Sequence, residues 1–257
     1  MKLRIIDLGI REPSFIPTEV QMTNHIDLDE PTILYYITNR EFLLVPGTRD
    51  YTKDIFIDKI PDGIGFIRGY EESDSDTRGV IYGGPRVLHF GLKLREGTLG
   101  DIDSIRTNLQ ISLIKILKSL DIITSNNPLY NKHNDTMVLH DGRYKKISGV
   151  DWFSKNGWDG IYMLIAFKFN YNLLNNIYNL QSQKMNKKKY VTNIKDVILG
   201  LDEIKNNLEP NKIGLELAKQ FCDDIGIDYY VGEFSKRELD YINYTEPIMN
   251  KTKWIVK

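Results

Sequence analysis

Between Val87 and Val150 the spacing of apolar residues changes period twice, and this limits the folds open to the chain. Val87, His89, Gly91 and Lys93 alternate with Leu88, Phe90, Leu92 and Leu94, which predicts a strand with one buried face. Ile102, Ile105, Leu109, Leu113, Ile116, Leu117 and Leu120 then recur at steps of three and four, the stripe of an amphipathic helix, with Asp101 placed to cap it. Strands resume at Thr136–Leu139 and Lys145–Val150. Asp141-Gly142 between them is the turn chemistry of a tight hairpin, because both central residues must accept positive φ.

The first hundred residues read mainly as β: Leu3–Asp7, Thr32–Ile37, and Phe42–Val45 running into Pro46-Gly47. Val80-Ile81-Tyr82 and the alternating run flank Gly83-Gly84-Pro85, a hairpin or sharp bend. Ile161–Phe169 is a further strand with few polar residues. From Ile194 the pattern turns helical. Ile194, Val197, Ile198, Leu201 and Ile204 share a face that Gly200 can break, and Ile213, Leu217, Phe221 and Ile225 define a helix after Pro210. Ser235 and Glu238 have the spacing of a capping box for a last short helix. Strands first and helices later make the class α+β, with mixed, largely antiparallel sheets packed with helices. With 257 residues, 41% of them hydrophobic, one core needs no staples. A single domain over 1–257 is expected, with a helical tail over about 191–257.

Several function classes drop out. The formal charge of −1 lacks the basic excess of a dedicated nucleic-acid binder. No apolar run spans a membrane, and Met1-Lys2-Leu3-Arg4 turns charged before a signal core forms, so a cytoplasmic location is expected. One cysteine, Cys222, allows neither a disulfide nor a cysteine-built zinc site, and it falls on an apolar helix face as a packed thiol. His25, His89, His133 and His140 are scattered without metal-ligand spacing. The acidic run Glu71–Asp76 reads as a solvated loop. The basic stretch Gln181–Lys189 reads as an exposed connection, or as a segment approaching an anionic partner.

Two segments carry candidate chemistry. Thr77-Arg78-Gly79-Val80-Ile81-Tyr82-Gly83 is a glycine-bearing strand and turn behind an arginine, suited to close backbone approach to an anion. If Asp141-Gly142 closes a hairpin, Asn134-Asp135 comes near Lys146-Ile147-Ser148-Gly149. A lysine beside an amide and a carboxylate suits activated-carboxylate chemistry, since an ammonium stabilises both a phosphate and an acyl oxygen. An ordinary surface hairpin with a Lys–Asp ion pair would show the same residues.

Asn134-Asp135, then Lys146-x-Ser148-Gly149, resembles the ligand-binding core of the lipoate-protein ligase A family, in the biotin/lipoate protein ligase superfamily. Arg4-Ile5-Ile6-Asp7 is similar to that family's opening strand, and Leu43-Leu44-Val45 to its third. Gly79-Val80-Ile81-Tyr82 is similar to the end of its Arg-Arg/Gly-Gly-Gly motif, and Val191-Thr192-Asn193-Ile194 to the Val-Thr-Asn-Leu before its helical tail. The stretch from Tyr241 to Trp254 resembles the segment closing the catalytic domain. The departures are concentrated in the arginine–glycine motif. Only Arg68 or Arg78 stands for the arginine pair, and His-Asp is replaced by Gly83-Gly84.

The resemblance implies a biotin/lipoyl protein ligase-like catalytic domain without a C-terminal accessory domain. It implies ATP-dependent activation of lipoate to lipoyl-AMP, and lipoyl transfer to a lysine of an acceptor domain. Lys146 would be catalytic; Arg68, Arg78, Gly79, Val80, Tyr82, Gly83, Asn134, Asp135, Ser148 and Gly149 would bind ATP and the lipoyl-adenylate. Asp135 would be the Mg²⁺ ligand. The implied partners are lipoyl acceptor domains of 2-oxoacid dehydrogenases or glycine-cleavage H-type proteins, with a separate accessory subunit as a further expectation. The alternatives are a non-catalytic protein that binds lipoate or lipoyl domains, and an octanoyltransferase, whose cysteine nucleophile Cys222 is badly placed to supply.

Overall fold

The computed structural model describes residues 1–19, 30–45, 51–68, 81–123, 128–130, 134–180 and 191–256. Its larger sheet has eight strands. From one edge these are β11 (Asp228–Val231), β1 (Lys2–Arg11), β2 (Thr32–Thr38), β6 (Val87–Arg95), β10 (Trp158–Ala166), β9 (Arg143–Lys155), β8 (Asp135–His140) and β7 (Pro128–Tyr130). β1 is parallel to both neighbours, and every other pairing in this sheet is antiparallel. The smaller sheet runs β12 (Trp254–Val256), β4 (Gly65–Arg68), β3 (Phe42–Val45), β5 (Ile81–Gly83).

The two periods seen in the sequence set the layers. Leu88, Phe90, Leu92 and Leu94 of β6 face α1 (Ile102–Ser119) and α3 (Pro210–Ile225), together with Ile161, Met163 and Ile165 of β10. Asp101 caps α1 by accepting from Ser104 N at 2.9 Å, and Gly226, at φ 68°, ends α3 in the left-handed conformation. Among the described residues, a second cluster covers the opposite face at its β1–β2–β6 end. Phe15 and Ile16 of a helical segment over 15–19, Phe42 of β3, and Phe234 and Ile242 near α4 (Lys236–Lys253) pack there on Ile6, Leu34 and Tyr36. A third cluster lies under the small sheet, where Leu43, Val45 and Phe66 meet Leu173, Leu174 and Ile177 of α2 (Tyr171–Ile177).

Four expectations are revised. The bend at Gly83-Gly84-Pro85 does not close a hairpin: β5 pairs with β3 in the small sheet, β6 with β2 and β10 in the large one. The helix expected from Ile194 is two 3₁₀ turns, Ile194–Asp196 and Leu201–Glu203, around an extended stretch that pairs with β9. The tail is not wholly helical, since it supplies β11 and β12, and its last helix is 18 residues long rather than short. Finally, β9 runs on to Lys155 and turns into β10 at Asn156-Gly157, both at positive φ, a hairpin dipeptide that the sequence displays openly.

Candidate active site

A β-bulge builds the site. β8 and β9 pair as Thr136 with Ser148 and Met137 with Lys146, so Ile147 is the extra residue. In unbroken alternation Lys146 would share a face with Ser148 and Val150. The bulge turns it over, onto the face of Asp135 and Gly149. There Lys146 Nζ lies 2.6 Å from Asp135 Oδ1, with the two side chains 37% and 25% exposed. A Cβ on Gly149 would stand 2.8 Å from that ammonium, so the missing side chain is what makes room for it.

The backbone of Lys146 is clamped as well. β10 stops pairing with β9 at Ser148, and residues 197–199 take its place: Lys146 N donates to Val197 O at 2.8 Å, and Leu199 N to Lys146 O at 2.9 Å. That stretch cannot be helical, because its carbonyls and amides are spent on β9. Gly200 follows at a close approach, where a Cβ would come within 2.5 Å of Phe167 O.

Of the residues expected at the site, Lys146, Asp135 and Gly149 come together, and Asn134 adjoins them. Asn134 holds φ 73°, tolerable for asparagine, and its carbonyl accepts from Val150 N at 2.7 Å. Ser148 is not with them. It pairs with Ile165 on the helix-covered face, buried, and its hydroxyl has no hydrogen-bond partner among the described residues. Arg68 lies in β4 opposite Val45. Gly83 lies opposite Phe42, whose ring leaves no space for a side chain there. Tyr82 turns to the other side of β5: its hydroxyl donates to Glu41, and its ring is 5.9 Å from Phe169 in a separate groove of about 590 Å³. Arg78, Gly79 and Val80, with the acidic run, the basic stretch and Pro46-Gly47, lie outside the described residues.

The face that carries Lys146 continues across the sheet in register. Asp135, Gly149, Leu164, His89 and Tyr36 are successive partners on β8, β9, β10, β6 and β2. Beyond Leu164 the row becomes buried and polar. His89 is stacked between Tyr36 and Phe42, at centroid distances of 4.9 and 5.7 Å. Burial pushes its imidazole down to about 3, so it is neutral. Four residues along β6, Lys93 Nζ donates to Glu19 O at 3.1 Å and to the Tyr162 hydroxyl at 2.5 Å, while the Tyr36 hydroxyl donates to Glu19 Oε2 at 2.6 Å. Burial drives Lys93 down to about 8 and raises Glu19. Strand alternation had already put His89 and Lys93 on this face, but nothing in the sequence placed Glu19 beside them.

Cys222 is fully buried on α3, and desolvation raises its thiol to about 12, far from a nucleophile's range. Among the described residues, no helix is long and apolar enough to cross a membrane.

No family model and no curated protein matches the sequence. Solved structures do match the fold. A bi-partite lipoate protein ligase from Thermoplasma acidophilum, studied with its E2 lipoyl domain, is similar at TM-score 0.73 and 14% identity, over 96% of this chain and 92% of that one. A lipoate-protein ligase A bound with ATP matches at 0.72 and 14%, over 96% and 95%. LipL1 of P. falciparum, in complex with lipoate, matches at 0.64 and 16%, over 94% and 71%. Across nearly its whole length, this chain carries the fold of the lipoate-protein ligases.

Proposed function

We propose that the chain is a lipoate-protein ligase, activating lipoate with ATP and passing the lipoyl group to a lysine of an acceptor domain. The observation that carries this reading is the Lys146 ammonium, held by Asp135 over Gly149 on the large sheet. Support comes from the fold, shared with ligases solved with ATP and with lipoate.

In the first step a carboxylate oxygen of lipoate attacks the α-phosphorus of ATP and pyrophosphate leaves. Two anions must approach each other, and a fixed cation between them lowers that repulsion. Lys146 is such a cation, and its ion pair with Asp135 and the bulge hold it in one place before substrate arrives. In the second step the acceptor's neutral amine attacks the acyl carbon, AMP leaves, and the amine loses its proton. The same ammonium then faces the oxygen charge that develops. Magnesium would arrive with the nucleotide and neutralise phosphate charge. Asp135 is the carboxylate here that would join it, which fits an ion held mainly by phosphate oxygens. No group of three candidate ligands forms a closed metal site among the described residues.

The acceptor, on this reading, is a lipoyl domain of a 2-oxoacid dehydrogenase or an H-type protein. A separate accessory subunit is part of the proposal, supported by the bi-partite ligase among the structural neighbours. The octanoyltransferase alternative loses ground to the burial of Cys222, the chain's one cysteine.

The test is pyrophosphate release from lipoate and Mg-ATP, alone and with a candidate accessory protein. Lys146→Ala should abolish it while the protein stays folded, and near-normal turnover in that variant would remove Lys146 from the mechanism. Transfer from octanoyl carrier protein without ATP, or tight binding of lipoyl-AMP with no turnover, would replace the ligase reading.

A further inference from the structure

The stretch that clamps the backbone of Lys146 is itself held at both ends by one short helix. Tyr171 and Asn175 of α2 are four residues apart, so they share a helix face. Asn175 fastens the start of the stretch: its Oδ1 accepts from Ile194 N at 2.8 Å, and its Nδ2 donates to Asn193 Oδ1 at 3.0 Å. Tyr171 fastens the end. Its hydroxyl donates to Glu203 Oε1, and Gly200 N donates to that hydroxyl at 3.3 Å and to Glu203 Oε1 at 3.2 Å. Lys195 Nζ, 3.1 Å from Glu203 Oε2, completes the network.

Between these anchors lie residues 197–199, whose backbone meets Lys146 N and O at 2.8 and 2.9 Å. From the Tyr171 hydroxyl, one hydrogen bond leads to Gly200, and the next residue, Leu199, bonds the Lys146 carbonyl. The helix that carries both anchors is fixed in turn. Leu173, Leu174 and Ile177 pack on Leu43, Val45 and Phe66 of the small sheet, and Ile177 O accepts from Phe56 N at 2.7 Å. α2 thereby ties the small sheet to the strand from which the ammonium projects.

We infer that Tyr171 and Asn175 are positioning residues for Lys146: they bracket residues 193–203, and so fix the backbone of β9 under the ammonium before substrates arrive. This role rests on Lys146 being the activating group of the proposed ligase. Both side chains act through the backbone of β9. A reacting group displaced by about 1 Å loses about a hundredfold in rate, so loosening one end while the other holds should cost less than that.

The experiment measures steady-state pyrophosphate release from lipoate and Mg-ATP, hydrogen exchange at the Lys146 and Leu199 amides, and thermal melting. Tyr171→Phe keeps the ring and removes only the hydroxyl; Asn175→Ala removes the other anchor. Each should lower kcat about tenfold while KM for both substrates stays within about twofold. Exchange at the two amides should rise at least about fivefold. Glu203→Gln keeps an oxygen for Tyr171 and Gly200, so its kcat should stay within about twofold of wild type, whereas Glu203→Ala should match Tyr171→Phe. Glu203 is 23% exposed, so this pair keeps the test decidable if the Tyr171 and Asn175 variants fold poorly. A lower melting temperature with unchanged kcat in the folded variants overturns the positioning role and leaves the ligase reading intact. So does a lower kcat with unchanged exchange, because the effect would not pass through β9. If the wild-type chain releases no pyrophosphate, the ligase reading falls, and exchange still decides the bracket: faster exchange in the variants supports it, and unchanged exchange overturns it.

Discussion

The ammonium of Lys146 stands where a side chain at residue 149 would be: a Cβ on Gly149 would lie 2.8 Å from Nζ and 3.0 Å from Cε. The obstructing atoms are the far end of a flexible side chain, so the lysine can move while the strand stays. Gly149→Ala is expected to change stability by less than about 1 kcal/mol while lowering adenylate formation about a hundredfold, the penalty for a catalytic group displaced by about 1 Å. Thermal melting and pyrophosphate release together check this; an unaltered rate would mean that the ammonium's position is not critical.

Gly200 presents the opposite case. A Cβ there would meet Phe167 O at 2.5 Å, and backbone cannot swing aside. Gly200→Ala should cost about 1–3 kcal/mol through displaced packing. It should also loosen residues 197–199 from β9, seen as faster hydrogen exchange at the amides of Lys146 and Leu199.

Arg4 of β1 and Glu238 of α4 form a buried ion pair, 2.7 Å apart and 3% and 0% exposed. Arg4 also donates to Thr32 Oγ1 and Glu233 O, and Glu238 accepts from Ser235 N to complete the cap of α4. Glu238→Ala leaves a buried guanidinium uncompensated and should cost about 3–5 kcal/mol. The paired change Arg4→Met with Glu238→Leu should recover much of that loss in denaturant unfolding, although the cap contact goes with it.

His89 predicts an acid-sensitive term. Its folded value of about 3 lies below the ordinary 6.5, so the unfolded chain binds the extra proton first. The resulting stability is complete above about pH 6.5 and is lost as pH falls toward 3, at up to about 1.4 kcal/mol per pH unit. His89→Leu should remove that one-proton contribution, read as a shallower fall of stability with pH in the variant than in the wild type. Parallel curves would mean that His89 titrates normally.

Local chemistry made much of this fold legible. The period-2 run over Val87–Leu94 and the stripe over Ile102–Leu120 became β6 and α1, because burying one face requires that spacing whatever the partner. Asp141-Gly142 became a hairpin turn because its residues accept positive φ, and so Asp135 and Lys146 came to adjacent strands. The sequence therefore determined which strands meet, while the face that Lys146 takes on them was left open.

Other features were decided between distant segments. Ile194–Ile204 has a helical pattern, yet 197–199 is extended because β9 offers unpaired backbone groups where β10 ends. One extra residue, Ile147, inverts the face of Lys146 and leaves Ser148 behind on the other, a two-residue event that periodicity cannot register. The row from Gly149 through Leu164 to His89 exists only once the β9–β10 hairpin and β6, from a remote part of the chain, are in register. Spacing along a chain reports which face a residue shares with its near neighbours; alignment across a sheet depends on hydrogen-bond register between segments far apart in sequence, and tertiary packing alone settles it.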